Sequence, residues 1–199
     1  MTDCFSEGKP SSRAAPAAGA PCDRLRLMRI AISLALAAIT LSAADLPRKA
    51  DPLMFKTHDA KPFSLAAQKG KAVAVLFFST ECSHCQHTAQ LLGPIYEQYK
   101  ARGVEFCGVA VNTSAVSNIG QFAKAYNVKF PIGVGGRELW SKFGHFPLDE
   151  QRYVPHMLFV DKAGVVVEDH PGKDRQFWTN QEANIKSSLE RVLKRKPTT

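Results

Sequence analysis

Residues 71–85 read KAVAVLFFSTECSHC, and this stretch decides the fold. The seven apolar residues after Lys71 have the length and composition of a strand that is buried on both faces of a sheet. Apolar side chains recur at helical spacing after Cys85, so the two cysteines fall where a strand passes into a helix. At this spacing the sulfurs are close enough for a disulfide, and the helix N-terminus stabilises a thiolate on Cys82. The stretch therefore predicts a redox-active dithiol.

The composition predicts one folded domain with a basic surface. The chain has 199 residues, of which 45% are hydrophobic and 22% are charged, and this is enough to bury one sizeable core. Its formal net charge of +8 is spread along the chain without a long run of lysine or arginine. That pattern is typical of a solvated basic surface and argues against nucleic-acid binding. At most it favours a mild attraction to anionic partners or membrane surfaces.

Residues 1–44 are predicted to lie outside the folded domain. Residues 1–27 are rich in Ser, Ala, Pro and Gly without apolar periodicity, which is typical of a disordered leader. Met28 and Arg29 then precede an apolar run over residues 30–41 and the small residues up to Ala44, which are the parts of a cleavable signal peptide. We therefore expect Met28 to be the true start, cleavage after Ala44, and a single folded domain over residues 45–199.

The same segment predicts where the protein works. A signal peptide implies export, and the periplasm is the expected compartment. The alternative is an uncleaved anchor that holds the domain on the membrane, facing the periplasm. The apolar run is shorter than the roughly 20 residues that span a bilayer, so no stable membrane span is expected after cleavage.

The rest of the chain predicts alternating strands and helices. Helices are expected from Cys85 to about Arg102, over residues 117–126, over residues 137–143 and from Thr179, where Glu182 completes a capping box. Strands are expected over residues 71–78, 104–111 and 130–134, with a hairpin at 157–161 and 165–169 and short edge strands between 46 and 70. Cys107, inside the second apolar strand, is interpreted as a buried core thiol.

These features together resemble the thioredoxin superfamily, specifically the exported redoxin-type thiol-disulfide oxidoreductases such as TlpA and ResA. The resemblance covers roughly residues 53–193 and depends on the C-x-x-C after a strand, the extra elements before the hairpin, and Val154-Pro155 just ahead of it. It implies an α/β thioredoxin-like fold with a central mixed β-sheet flanked by helices. It also implies a cis-proline at Pro155 that faces the disulfide, with the backbone of Val154 pairing with a substrate polypeptide.

The resemblance assigns the chemistry to the two cysteines. Cys82 is the exposed nucleophile that forms a mixed disulfide with a protein substrate, and Cys85 is the buried resolving thiol. Neighbouring residues tune the reaction: His84 and Ser83 lie between the cysteines, where a histidine would stabilise the Cys82 thiolate, and Glu81 would oppose it. The direction of electron flow therefore stays open. The expected partners are protein thiols or disulfides and an upstream redox partner, and we expect a monomer without a cofactor.

Two alternative functions on the same fold stay open. Exported copper-delivery proteins of the Sco type use two cysteines and a distant histidine, and here Cys82, Cys85 and His156 would hold Cu(I). Against this, their cysteines are spaced C-x-x-x-C. A peroxiredoxin would use Cys82 to reduce peroxide, but the threonine of the peroxiredoxin motif lies three residues before the cysteine, whereas Thr80 lies two before it.

Overall fold

The computed structural model describes residues 46–196. The predicted leader, signal peptide, start at Met28 and cleavage after Ala44 lie outside the described residues. None of the helices within residues 46–196 is long and apolar enough to cross a membrane.

A six-stranded mixed sheet forms the centre of the domain, with the strand order β1-β8-β7-β4-β5-β6. Strand β4 pairs in parallel with β5, which pairs in parallel with β6, whereas β4 and β7, β7 and β8, and β8 and β1 are antiparallel. A separate two-stranded sheet joins β2 and β3. The strands are β1 Arg48–Lys49, β2 Met54–Lys56, β3 Pro62–Ser64, β4 Ala72–Phe78, β5 Val104–Ala110, β6 Ile132–Val134, β7 His156–Val160 and β8 Val165–His170.

Five α-helices and one short 3-10 helix, Leu65–Gln68, accompany these strands. This architecture is the thioredoxin-like fold, so the predicted fold class is confirmed. The α-helices are α1 Ser83–Lys100, α2 Ala115–Ala125, α3 Gly136–Gly144, α4 Arg175–Thr179 and α5 Gln181–Lys194.

Strand β4 is buried along its whole length because apolar clusters cover both faces of the sheet. Its alternate residues, such as Leu76, pack in the cluster that contains the buried side chains of α1, α2 and α5. The intervening residues, such as Phe77, pack on the other face against Trp140 and Phe143 of α3. Cys107 also lies on this second face with no exposed surface, and burial raises the pKa of its thiol. The double coverage explains why the strand reads as a continuous apolar run.

The start of the last helix differs from the prediction. The expected capping box between Thr179 and Glu182 does not form: α4 ends at Thr179, and α5 begins at Gln181 without a side-chain cap. The chain becomes helical earlier because Asp174 caps α4, its side chain accepting a hydrogen bond from the backbone N–H of Phe177 at 3.0 Å. Glu182 instead pairs with Lys186 one turn along α5, at 2.7 Å.

A close backbone approach at Gly133 joins the small sheet to the large one. Gly133 of β6 forms an isolated bridge with Thr57, directly after β2. A Cβ atom on Gly133 would overlap the carbonyl oxygen of Lys56 and the ring of Phe55. Only a glycine allows the two sheets to approach this closely.

We expect Gly133→Ala to lower the free energy of unfolding by about 1–3 kcal/mol, because backbone must move to admit the methyl group. Gly120→Ala is the matched control, since a Cβ at this helical position meets nothing within 4 Å. That change is expected to stabilise the protein by roughly 0.5–1 kcal/mol. Urea unfolding of both variants measures the two effects, and equal midpoints would contradict the close approach.

Candidate active site

The two cysteines lie at the N-terminus of α1, directly after β4. Cys82 is the N-cap residue, and its sulfur accepts a hydrogen bond from the backbone N–H of Cys85 at 3.3 Å. Cys82 is partly exposed, whereas Cys85 is completely buried. A partner can therefore reach only the sulfur of Cys82, because the sulfur of Cys85 lies beneath it in the apolar core.

This arrangement separates the acidities of the two thiols. The pKa of Cys82 is lowered to about 6, mainly because the Cys85 thiol donates a hydrogen bond to its sulfur. The backbone N–H groups of Cys85 and His84, and the charge of His84, lower it further against the opposing effect of burial. The pKa of Cys85 is raised because its proton is held by Cys82 and because it is buried. At neutral pH one sulfur is a thiolate and the other keeps its proton.

Glu81 is engaged by a polar network that the sequence did not reveal. The hydroxyl of Ser114 donates to the Glu81 carboxylate, and Asn112 donates to Ser114 at 2.7 Å and to the Thr80 hydroxyl at 2.8 Å. The amide oxygen of Asn112 also accepts the backbone N–H of Thr80 at 3.1 Å. The network fixes the segment just before Cys82. The sequence did contain one indication of this contact. Asn112 lies just after β5 and Thr80 lies just after β4, and neighbouring parallel strands end at the same edge of a sheet.

Val154 and Pro155 lie opposite the exposed sulfur. The peptide bond between them is cis, and the carbonyl oxygen of Val154 lies 3.9 Å from the sulfur of Cys82. Beside them a cavity of about 280 Å³ opens to solvent. Its lining includes His84 next to the cysteines and, on the far side, Arg175 and Trp178 of α4. The structure thus brings the predicted substrate-binding residues and the predicted nucleophile together.

His156 is not brought to the cysteines, as the alternative copper site would require. It follows Pro155 directly, but its side chain lies on the opposite face of the sheet from Cys85, beside Phe77 and Trp140. Its Nδ1 accepts a hydrogen bond from the Trp140 indole at 2.8 Å, and its Nε2 lies 2.6 Å from Asp169. Both ring nitrogens are therefore in use. Strand alternation is the reason, since neighbouring residues of a strand point to opposite faces.

The His156 contacts belong to a buried polar cluster beneath the active-site loop. An indole N–H only donates, so Nδ1 is the acceptor and Nε2 donates to Asp169. The Arg48 guanidinium of β1 lies near Asp169 and donates to the carbonyl oxygen of Phe143 at 2.5 Å. Within residues 46–196 no group of three or more His, Cys, Asp and Glu side chains could hold a metal ion. The cluster therefore ties β7, β8 and α3 together with hydrogen bonds.

Comparison with known proteins identifies the family of this chain. The model of the AhpC/TSA family matches residues 46–169. The chain belongs to this family. Over 152 residues it is 26% identical to the thiol-disulfide oxidoreductase ResA of Bacillus thuringiensis subsp. konkukian, covering 76% of this chain and 78% of that protein. It is 32% identical to ResA of Bacillus subtilis over 111 residues, which is 55% of this chain and 58% of that protein.

Solved structures of the same fold include redox proteins from other bacteria. A thioredoxin-family thiol:disulfide interchange protein from Chlorobium tepidum superposes with a TM-score of 0.64 at 26% identity, covering 76% of this chain and 99% of that one. A secreted disulfide oxidoreductase from Mycobacterium tuberculosis superposes with a TM-score of 0.54 at 18% identity, covering 68% and 95%. The second likeness shows the fold alone.

The origin of the low Cys82 pKa can be tested by removing its hydrogen-bond donor. We expect the alkylation rate of Cys82 by iodoacetamide to rise with a midpoint near pH 6 in the wild-type chain. Cys85→Ala should move this midpoint up markedly, because the largest stabilising contact is lost, and His84→Ala should move it up less. Glu97→Gln, which removes an exposed carboxylate near the other end of α1, is the control, and we expect no shift. A larger effect of His84→Ala than of Cys85→Ala would contradict this order.

The His156 cluster predicts a large loss of stability on substitution. His156→Phe leaves the Trp140 indole and the Asp169 carboxylate without their partner, and each buried unpaired group costs about 1–3 kcal/mol. The exposed His87 of α1 provides the control, and His87→Ala should change the free energy of unfolding by less than about 0.5 kcal/mol. Chemical denaturation measures both, and similar values for the two variants would show that the cluster does not stabilise the fold.

Proposed function

We propose that this protein is an exported thiol-disulfide oxidoreductase that exchanges the Cys82–Cys85 dithiol with disulfides of protein substrates. The observation that carries this proposal is the contrast between a reachable thiol of lowered pKa and a buried neighbour of raised pKa. The names of the ResA relatives and of the Chlorobium interchange protein support the same activity.

The first step forms a mixed disulfide. The Cys82 thiolate attacks one sulfur of a substrate disulfide, the substrate S–S bond breaks, and the other substrate sulfur leaves as a thiolate. With a pKa of about 6, Cys82 holds the attacking charge at neutral pH without a separate base. The low pKa also makes Cys82 a good leaving group when the first step runs in reverse and a substrate thiolate attacks the substrate sulfur of the mixed disulfide.

The second step releases the substrate. Cys85 loses its proton and attacks the sulfur of Cys82, so the mixed disulfide breaks and the substrate leaves with both sulfurs reduced. The product is the Cys82–Cys85 disulfide, which has given up two electrons. Mixed-disulfide formation removes the negative charge from Cys82 that the Cys85 proton stabilised, so the hydrogen bond that raised the pKa of Cys85 is lost at the moment this thiol must ionise.

The surface around Cys82 suits an extended polypeptide. The backbone of Val154 is beside the sulfur, and we assign it the pairing with the main chain of the substrate. The cavity beside Val154 and Pro155 would accept a substrate side chain close to the substrate cysteine. Its lining includes the indole of Trp178 and the guanidinium of Arg175. His84 at its edge contributes both to this surface and to the thiolate.

The same chemistry runs in reverse when the disulfide form meets a substrate dithiol. A stabilised Cys82 thiolate favours the reduced protein and makes its disulfide more oxidising. The potential of the upstream partner then decides the direction. The signal-like segment over residues 28–44 supports export.

Peroxide reduction and copper delivery are less well supported. The sequence disfavours peroxide reduction, because Thr80 lies two residues before Cys82 whereas the threonine of the peroxiredoxin motif lies three residues before its cysteine. Copper delivery requires His156, whose two ring nitrogens already contact Trp140 and Asp169 on the other face of the sheet.

Trapping of mixed disulfides tests the proposal. We expect the Cys85→Ser chain to accumulate in cells as disulfide-linked complexes through Cys82, because the resolving thiol is absent. A reducing agent should break the disulfide and separate the complexes, and mass spectrometry should identify the trapped partners.

Cys82→Ser and the double Cys82→Ser/Cys85→Ser chain are the controls and should trap nothing. If the Cys85→Ser chain also traps nothing but consumes peroxide with a thiol reductant, the peroxidase alternative replaces this proposal. Absence of both results would remove the exchange reaction as the function.

A further inference from the structure

Lysines surround the end of the domain that lies farthest from the cysteines. Strand β4 begins at Ala72 and ends at Phe78, just before Cys82, so the Ala72 end is opposite the active site. A cavity of about 260 Å³ opens at that end. Four lysines contribute to its lining: Lys49, Lys69, Lys71 and Lys162. They come from β1, from the segment between the 3-10 helix and β4, and from the β7–β8 hairpin, so the fold brings them together from distant parts of the chain.

Carboxylates at this end are already neutralised by other cations. Glu105 lies 3.4 Å from Lys71, and Asp161 lies 3.1 Å from Arg195. Glu190 accepts a hydrogen bond from Arg102 at 2.9 Å. For Lys49, Lys69 and Lys162, by contrast, the described part of the chain supplies no carboxylate within ion-pair distance. The cavity lining also includes Asp51 and Asp161. Asp51 lies 2.5 Å from His145 and 3.8 Å from Arg48, so it is engaged elsewhere, and the three exposed lysines have no ion-pair partner within the described residues.

The positions of two further lysines at this end are explained by the helices that carry them, whereas those of Lys49, Lys69 and Lys162 are not. Lys100 and Lys194 occupy the last turns of α1 and α5, where a cation stabilises the partial negative charge of a helix C-terminus. Lys69 and Lys162 lie in loops, and Lys49 lies on an edge strand. Three uncompensated like charges around one cavity repel one another, which points to an anionic partner outside the domain.

The partner must also suit apolar atoms, because the cavity between the lysines is lined mostly by them. Leu65, Val73 and Val160 contribute apolar surface there. A row of lysines over an apolar floor suits the interface of a membrane, where the charged ends contact phosphates and the aliphatic stems lie against lipid.

We propose that this lysine-lined end is a membrane-facing surface that binds the phosphate headgroups of anionic phospholipids. Cys82 then points away from the bilayer, because a strand of seven residues, about 23 Å long, separates the two ends. Protein substrates would approach the cysteines from the aqueous side while the opposite end rests on lipid. This inference does not depend on the direction of electron flow or on the substrate.

Vesicle sedimentation of the full chain tests the surface. The wild-type chain is compared on vesicles of phosphatidylcholine alone and of phosphatidylcholine mixed with phosphatidylglycerol. We expect tighter binding to the anionic vesicles, weakened by salt. In a Lys49→Gln/Lys69→Gln/Lys162→Gln chain, the ratio of affinities for anionic and neutral vesicles should fall about fivefold for each charge removed. The apolar run and the basic residues of the leader are the same in both chains, so they do not affect the comparison.

Lys56→Gln/Lys129→Gln/Lys142→Gln is the matched control, since these lysines are equally exposed but lie elsewhere on the domain. It should keep the wild-type preference, and both triple variants should keep the wild-type rate of disulfide exchange. If both triple variants lost the preference for anionic vesicles equally, the net charge of the chain would explain the binding, and the proposal would be overturned. If both triple variants kept the wild-type preference, the vesicles would bind elsewhere on the chain, and the proposal would also be overturned.

Two further outcomes test the orientation and the choice of partner. A membrane-impermeant maleimide should label Cys82 equally fast with and without anionic vesicles, and protection by the vesicles would overturn the orientation. Binding to polyglutamate or to DNA with the same dependence on the three lysines would make this a general polyanion surface and contradict the assignment to lipid.

Discussion

One contact between two sulfurs organises the chemistry of this domain. The thiol of Cys85 donates to the sulfur of Cys82, and this lowers the pKa of one group and raises that of the other. The contact exists because both residues occupy the first turn of α1, with Cys82 as its N-cap. The helix N-terminus adds its own N–H donors at the same point. Charge on one sulfur and a proton on the other thus follow mainly from this contact, with help from the backbone N–H donors to Cys82 and from the burial of Cys85.

The rest of the structure holds that first helical turn in place. Strand β4 is buried on both faces and ends four residues before Cys82, so the rigid centre of the sheet sets where α1 begins. From the side, Asn112 fixes the Thr80 backbone and hydroxyl. From below, the contacts of His156 with Trp140 and Asp169 fix the start of β7, next to the loop that faces the sulfur. Three separate elements therefore converge on a few residues.

Much of this could be predicted from local sequence patterns. The apolar run ending at Phe78, the spacing of Cys82 and Cys85 and the hairpin near the C-terminus each have a periodicity or a motif that one segment carries alone. The strand order, in contrast, depends on contacts between distant segments, and so do the partners of Glu81. His156 shows the difference clearly: its place beside Pro155 suggested a role at the sulfurs, but the alternation of β7 turns its side chain to the other face. The capping box at Thr179 was wrong for a related reason, since Asp174 had already started a helix.

The complete burial of Cys85 has a kinetic meaning. In the exchange reaction that we propose, electrons enter and leave the pair through one exposed atom, the sulfur of Cys82, so only one partner can be attached at a time. The donor must depart before the acceptor arrives, which is the order of a double-displacement reaction, with no ternary complex of the protein and both partners. Two proteins of quite different shape can then share the same catalytic surface, because they never occupy it together.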